Sequence, residues 1–316
     1  MTMISRRGFL GSSAVVAGAA VFVPRIVFAQ DVAQPDVVVN GRKAAATAKI
    51  VTQKLRGGVY VLMGSGGNIA VLPGPQGKVL VDSGISTSQP QIVEALNAIS
   101  ADPISHLINT HWHYDHTDGN EWMHTAGATI IAQDKCKARM NSVQQMKAFN
   151  ATFPASPKGA IPTKTFAEKD RTKLNGATLS MAHYEPAHTD TDIWIHFVEA
   201  DVLHTGDTWF NGFYPFIDYS TGGNINGMIK AADHNLATAG PDTIIIPGHG
   251  PIGDKKQLQE FREVLVYARD AVAALKQQGK TLAEVVAAKP TEKYDSTYGA
   301  GFMKPEAFLG LVYQGV

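Results

Sequence analysis

The stretch NTHWHYDHTDGN, Asn109 to Asn120, sets three histidines and two aspartates within the eight residues from His111 to Asp118. Only 11 histidines occur in the 316-residue chain, and a run this polar cannot be a core strand. It reads as a loop where side chains leave the sheet and converge. His111 and His113 are two apart, so in extended backbone they point the same way. Asp115 and His116 follow where the chain must turn, and they address a neighbouring point. A tetrahedral catalytic zinc takes three protein ligands and a water. The loop therefore offers more ligand groups than one ion conveniently uses.

Outward from this loop, short apolar runs alternate with Gly- and Pro-rich turns. Val59–Met63, Asn68–Leu72 and Lys78–Val81 read as three strands. A helix follows, with Ser88 as N-cap and Ile92, Val93, Leu96 and Ile99 at helical spacing. Strand His106–Ile108 leads into the quoted loop. ATIIAQ gives another strand, and a helix is expected to run from there to about Phe149. The second half repeats this plan: strands ATLSMAHY, DIWIHFVEA and DVLHTGD, a helix over about Asn226–Ala237, strand DTIIIPGHG, and a long helix Lys255–Gln278. From Thr281 the chain reads as helical in parts. Strands in runs with helices after them, twice over, suit two sheets packed face to face with helices outside. Two apolar strands deliver an aspartate at the tip, KVLVDSG at Asp82 and ADVLHTGD at Asp207, and both tips are expected at one edge of the sandwich.

Further ligand types sit in loops after strands: His188 in PAHTDTD, Asp207 in HTGDTWF and His249 in PGHGP. At this point the sequence resembles the metallo-β-lactamase superfamily. The H-x-H-x-D-H pattern is met by His111, His113, Asp115 and His116. The later histidine matches His188, the bridging aspartate Asp207, the last histidine His249, and the early strand-end aspartate Asp82. The motifs occur in the family's order across roughly Val59 to Gly250. The resemblance implies an α/β fold, the αββα sandwich of two mixed sheets flanked by helices.

It also implies an allocation of ligands. His111, His113 and His188 would hold one metal, Asp115, His116 and His249 a second, with Asp207 between them. Asp82 is expected to accept a proton from a ligand histidine or to brace the loop. Two Zn2+ per chain are the first expectation, with Fe or Mn also suited to nitrogen and oxygen ligands. The implied chemistry is hydrolysis of an ester, lactone or thioester carbonyl by a metal-bridging hydroxide, with Asp115 orienting it and passing a proton. True metallo-β-lactamases usually place cysteine or serine at the bridging position, so Asp207 ranks lactam cleavage second. A mononuclear iron oxygenase of the persulfide-oxidising kind would have little need for Asp115, His116 and His249. A metal carrier without catalysis is the remaining alternative.

Other polar residues read as structural. Asp118, Asp190 and Asp192 suit turns and caps, and His204 suits either a buried strand or support of Asp207. TWFNGFYPF, Thr208–Phe216, reads as core and wall, with Trp209, Phe210 and Tyr214 the candidates to contact an apolar part of a small-molecule substrate. Trp112 and Tyr114 point away if His111 and His113 point in, lining the entrance or packing underneath.

The N-terminus carries Arg6 and Arg7, an Ala- and Gly-rich apolar run to Val23, and small residues at Val27 and Ala29. It resembles a twin-arginine export signal cleaved after Ala29. Residues 1–29 would then be removed, leaving one hydrolase domain over 30–316, periplasmic or secreted. Pro24 and Arg25 interrupt the run, so no stable membrane anchor is expected; the partner would be the twin-arginine export machinery. Of 28 basic residues, three precede residue 30, leaving 25 against 28 acidic. That near-neutral balance argues against nucleic acid as a partner, and with it against nuclease activity. Cys136 is the sole cysteine, so no intrachain disulfide forms.

Overall fold

The computed structural model of the protein describes residues 33–316. The stretch that resembles a twin-arginine signal, with the cleavage expected after Ala29, lies outside the described residues. The chain opens with helix α1 (Asp36–Ala45) and then builds β1 (Val51–Lys54), β2 (Tyr60–Met63), β3 (Ile69–Leu72) and β4 (Lys78–Val81). Helix α2 (Gln89–Ile99), β5 (Ile104–Ile108), the short helices α3 (Tyr114–Thr117) and α4 (Asn120–Thr125), and β6 (Thr129–Gln133) follow. Next come α5 (Asp134–Met140), a small hairpin β7 (Gln144–Met146) and β8 (Ala151–Phe153), then β9 (Lys164–Phe166). The second half contains β10 (Lys169–Leu174), β11 (Ala177–His183), β12 (Ile193–Phe197), β13 (Val202–His204), α6 (Ile225–Thr238), β14 (Ile244–Ile246) and α7 (Lys255–Gln277). Helices α8 (Leu282–Ala288), α9 (Glu292–Tyr298) and α10 (Pro305–Gln314) close the chain.

Two large sheets result. The first has the order β1-β2-β3-β4-β5-β6-β9, antiparallel up to β4 and parallel beyond it. The second has the order β10-β11-β12-β13-β14, antiparallel except for the parallel pair β13 and β14. The switch to parallel pairing comes where helices enter as crossovers, since parallel neighbours cannot be joined by a tight turn. Val61, Val79, Val81 and Ile108 of the first sheet meet Leu179, Ile195, Phe197 and Ile246 of the second in one buried cluster. Leu80 and Leu107 face the other way, against Ile92 and Leu96 of α2. Outside the second sheet, Leu203 and Ile245 pack in a larger cluster with Met228 of α6, Phe261 of α7 and Phe308 of α10. This is the αββα arrangement expected from the strand runs. Central strands β3 and β4 are buried throughout, which is why they read as unbroken apolar runs rather than alternating ones.

Three expectations change. The helix to Phe149 stops at Met140, and residues 144–153 form the β7–β8 hairpin instead. Asn150 takes a left-handed conformation at its tip, with φ of 46°, a turn geometry that asparagine tolerates. Strand β1 was not anticipated, because as a fully exposed edge strand it carries no apolar pattern. Strands β9 and β10 were missed for a related reason, β9 having only three residues and β10 being a charged edge strand.

The loops after β4, β5, β13 and β14 all leave the sheets at one edge. Asn68, at the start of β3, ties that edge across the sandwich: its N–H donates to Gly248 O at 2.8 Å, and its side-chain amide to Pro247 O and Gly250 O at 2.9 Å each. Truncating the inter-sheet Phe197 to alanine is expected to cost about 3–5 kcal/mol. The check is a lowered urea midpoint at unchanged denaturant slope.

Candidate metal centre

Each ligand-type side chain is carried to the sandwich edge by the loop that ends a strand. After β5 the chain runs through His111 and His113, and His113 is the residue before α3, which turns Asp115 and His116 inward. His188 comes from the loop between β11 and β12, Asp207 from the turn after β13, and His249 from the loop after β14. These seven side chains form two groups, His111, His113, His188 and Asp207 in one and Asp115, His116 and His249 in the other. Within each group the ligand atoms lie within 4.8 Å of one another. Asp207 stands between the groups: Oδ2 is 3.5 Å from His188 Nε2 and 3.4 Å from His249 Nε2, while Oδ1 is 3.1 Å from His116 Nε2.

The outward nitrogens of the rings are fixed by protein partners. His116 Nδ1 lies 2.7 Å from Asp82 Oδ2, His188 Nδ1 2.8 Å from Phe216 O, and His113 Nε2 3.2 Å from Asp218 Oδ2. Placing the proton on each of these nitrogens leaves His116 Nε2, His188 Nε2 and His113 Nδ1 with lone pairs aimed inward. His111 Nδ1 is 3.0 Å from Thr110 Oγ1, whose hydroxyl donates to Asp82 Oδ2 at 2.7 Å. Asp82 thus braces a ring from each group, directly for His116 and through Thr110 for His111. It sits at φ of 66° with its carboxylate fully buried, so the turn reading and the bracing reading both apply.

The inner faces show the mark of a cation site. His188 Nε2 and His113 Nδ1 face each other at 2.9 Å, and His116 Nε2 and His249 Nε2 at 3.3 Å. His111 Nε2 and Asp207 Oδ1 are buried without a directed hydrogen bond, despite the short Asp207 Oδ1 to His116 Nε2 distance. Lone pairs facing lone pairs, and buried acceptors without donors, cost free energy unless a cation joins them. The donor set, all nitrogen and oxygen, fits a divalent metal of the zinc, iron or manganese type. Cys136 is buried in the core beside Met140 and belongs to neither ligand group.

Charge follows the same geometry. Burial, with His116 next to it, pushes His111 well below the usual histidine range, and burial takes His188 down to about 4. Both are neutral at pH 7, as a ligand must be. Burial works against ionisation of Asp207 and Asp115, but His249 and His116 hold Asp207 well below the carboxylate range, and His116 and His249 bring Asp115 to about 2. Burial likewise opposes charge on His116 and His249, yet Asp207 and Asp115 raise His116 well above its usual value and His249 to about 9. Without a cation, His116 and His249 hold protons beside the ionised Asp115 and Asp207.

Several supporting residues were missed from sequence. Asp218 and the Phe216 carbonyl orient two ligand rings, and no local motif marks either; a buried aspartate in the apolar run FYPFIDY was the available hint. Asp192 is pushed up to about 7 by burial and accepts from Thr189 N–H and Thr189 Oγ1, bracing the loop after His188. His204 accepts from Gly206 N–H at 3.1 Å and supports the Asp207 turn. Asp118 and Asp190 are structural as expected, paired with Arg42 and Arg139. One expectation fails. Trp209 is not a substrate wall: it is 0% exposed in the core, whereas Phe210 and Tyr214 do line the cavity beside Asp207. Trp112 packs underneath and Tyr114 faces the cavity.

A two-sheet sandwich with such a centre at one edge is the architecture of a metal-dependent hydrolase class. Residues 62–249 match the model of the metallo-beta-lactamase superfamily, and the chain belongs to that superfamily. It is 29% identical over 164 residues to a hydroxyacylglutathione hydrolase of a Polaromonas species, covering 51% of this chain and 54% of the relative. The chain thus spans about half the length of that relative. It is 26% identical over 287 residues to the lactamase-like protein aptB of Emericella nidulans, covering 84% of this chain and 83% of the relative. In structure it is similar to the sec-alkylsulfatase Pisa1 of a Pseudomonas species, with a TM-score of 0.62, 18% identity, and coverage of 89% of this chain and 53% of that one. That last likeness is one of fold.

The turn between β2 and β3 presses on the centre at Gly67. A Cβ there would fall on Cε1 of His116 and lie 2.6 Å from both ring nitrogens. Gly67→Ala is expected to displace His116 from Asp82 and to lower metal content while circular dichroism stays native. Full metal retention in that variant would contradict the geometry. The pH dependence has a fixed sign. A cation held by Asp115, His116 and His249 must displace protons from the two rings, whose affinity for them is raised, while Asp115 is already ionised, so competition grows as pH falls below about 9. The His111 and His188 group, with lowered proton affinity, competes far less. Metal content after dialysis at stepped pH is expected to show loss in two stages; simultaneous loss would refute this order.

Proposed function

We propose that the protein is an exported hydrolase, a single domain over 30–316, that holds two divalent cations and cleaves an ester, lactone or thioester carbonyl. The observation that carries this reading is the pair of ligand groups sharing Asp207 and opening on one cavity. His111, His113 and His188 would hold one ion, Asp115, His116 and His249 the other, and Asp207 would touch both. Zinc is the first choice, with iron or manganese next. When bound, such ions supply Lewis acidity for a carbonyl oxygen and acidify water to near neutrality.

The chain's own groups do the rest. Asp115 faces the cavity with its side chain 22% exposed, and Oδ2 lies 3.3 Å from His249 Nε2. A carboxylate held ionised there accepts a proton from an attacking water and returns it to the leaving group. Asp82, Asp218 and the Phe216 carbonyl hold three rings in place, so little reorganisation is required during turnover. Tyr114 and Phe210 line the cavity beside them, with the Phe210 ring stacked on His249 at 5.2 Å.

Curated relatives with hydroxyacylglutathione hydrolase names favour acyl transfer to water, and Asp207 at the bridging position favours it over lactam cleavage. The iron oxygenase reading is less economical, since the Asp115, His116 and His249 group would then be surplus. The twin-arginine segment supports a periplasmic or secreted location.

The test is metal content of the exported form together with hydrolysis assays on a lactone, a thioester, a neutral ester and a chromogenic cephalosporin. Two equivalents of metal and turnover of at least one non-lactam substrate are expected. His113→Ala is expected to lose the first ion and to reduce turnover by more than about 100-fold, beyond the loss usual for a supporting residue. A fully metallated protein inert on all four substrates, or one holding a single iron, would overturn the reading.

A further inference from the structure

The centre opens into a cavity of about 480 Å³, within the range of small-molecule sites. Its polar groups are all at the inner end or turned away. His113, Asp115, Asp207 and His249 belong to the centre, and the Tyr214 hydroxyl donates to Asp295 Oδ1 at 2.7 Å. Tyr114 OH donates to Val37 O at 3.2 Å. Among the described residues lining the cavity there is no Lys, Arg, Ser, Thr, Asn or Gln. A carboxylate on the non-reacting part of a substrate would therefore be desolvated without a partner.

The outer part is instead a line of aromatic rings. Phe216 lies 6.0 Å from the His113 ring and 5.9 Å from the His188 ring. Phe149 follows at 4.9 Å from Phe216, and Phe302 at 5.7 Å from Phe149. The rings come from three separate segments, the last two being the β7–β8 hairpin and the loop between α9 and α10. Phe302 is 71% exposed at the mouth, although its neighbours are anchored: Met303 is buried, and a Cβ on Gly301 would fall on the Phe213 ring. The loop thus holds one large apolar side chain in water at the end of an apolar track. Phe302 does not stand alone but continues the Phe216–Phe149 line to the surface, and a contiguous apolar track of this kind marks a contact surface.

We propose that this track binds the uncharged alkyl tail of the substrate, so that the enzyme selects neutral lipophilic esters or lactones over anionic thioesters and lactams. Phe216, Phe149 and Phe302 are its specificity-determining residues. The inference rests on the hydrolase reading for the reacting end only. Each methylene laid along the track leaves water, which raises kcat/KM by about three- to fourfold per methylene.

The experiment uses metal-loaded protein and a series of straight-chain nitrophenyl esters from acetyl to octanoyl, with an acylated glutathione as the anionic comparison. In parallel, binding of octyl methyl ketone and ethyl methyl ketone, which cannot be hydrolysed, is measured by calorimetry. The expected result is kcat/KM rising along the series, octyl methyl ketone binding at least about tenfold tighter than ethyl methyl ketone, and both gradients reduced in F302A and F149A. Phe302 is exposed, so F302A tests the track without disturbing the core. A flat or falling series, preference for acylated glutathione over the octanoyl ester, or unaltered gradients in F302A would overturn the inference. If no ester is turned over but the ketone preference appears and weakens in F302A, the hydrolase reading fails while the apolar track stands.

Discussion

Asp207 is a buried carboxylate placed among four imidazole nitrogens from three different loops, and the rest of the sandwich edge is arranged around it. An ionised carboxylate in such a place is tolerable only when opposite charge is close on several sides. Protonated His116 and His249 supply some of that charge, and the unpaired Oδ1 and His111 Nε2 show that the compensation is incomplete. The folded chain therefore keeps an electrostatic deficit that divalent cations are suited to fill. The cost of assembling it is carried by the apolar contact between the sheets and by Asn68, which ties the β2–β3 turn to the His249 loop.

Asp82 shows how one residue can serve both halves of the centre. Its carboxylate receives Thr110 N–H, Thr110 Oγ1 and His116 Nδ1, so the start and the end of the histidine-rich loop are pinned to one strand tip. Because the same group orients His116 and, through Thr110, His111, the two ligand sets are not positioned independently. Such rigidity suits chemistry in which charge develops at a defined point, since the surrounding dipoles need not reorient. The cavity has the opposite character. Its outer wall offers apolar surface and almost no hydrogen bonding, dividing the site into a polar inner end and an apolar outer end.

Much of this was legible from residue order. His111, His113, Asp115, His116, His188, Asp207 and His249 lie at strand ends or in the turns that follow, where Gly and Pro interrupt the ladder and a polar side chain can leave the sheet. The central strands were readable because both of their faces are buried. Edge strands β1, β9 and β10 were not, because a polar edge carries no continuous apolar signature, and β9 in addition pairs with β6, some thirty residues earlier. The β7–β8 hairpin was mistaken for a helix because MNSVQQMKAF has neither clear alternation nor a strong turn signal, and its packing against the turn at Tyr219–Thr221 decides its shape.

Sequence alone determined the chemical kinds of ligand, their order, and the strands that deliver them, since these depend on side-chain identity and on periodicity within a few residues. Tertiary structure decided which ring nitrogen faces inward, that Asp218 and the Phe216 carbonyl are partners, that Trp209 is core while Phe210 is wall, and that Phe302 reaches the mouth from near the end of the chain. Those facts depend on contacts between segments tens of residues apart, whose distances are set by how two sheets stack rather than by any local pattern.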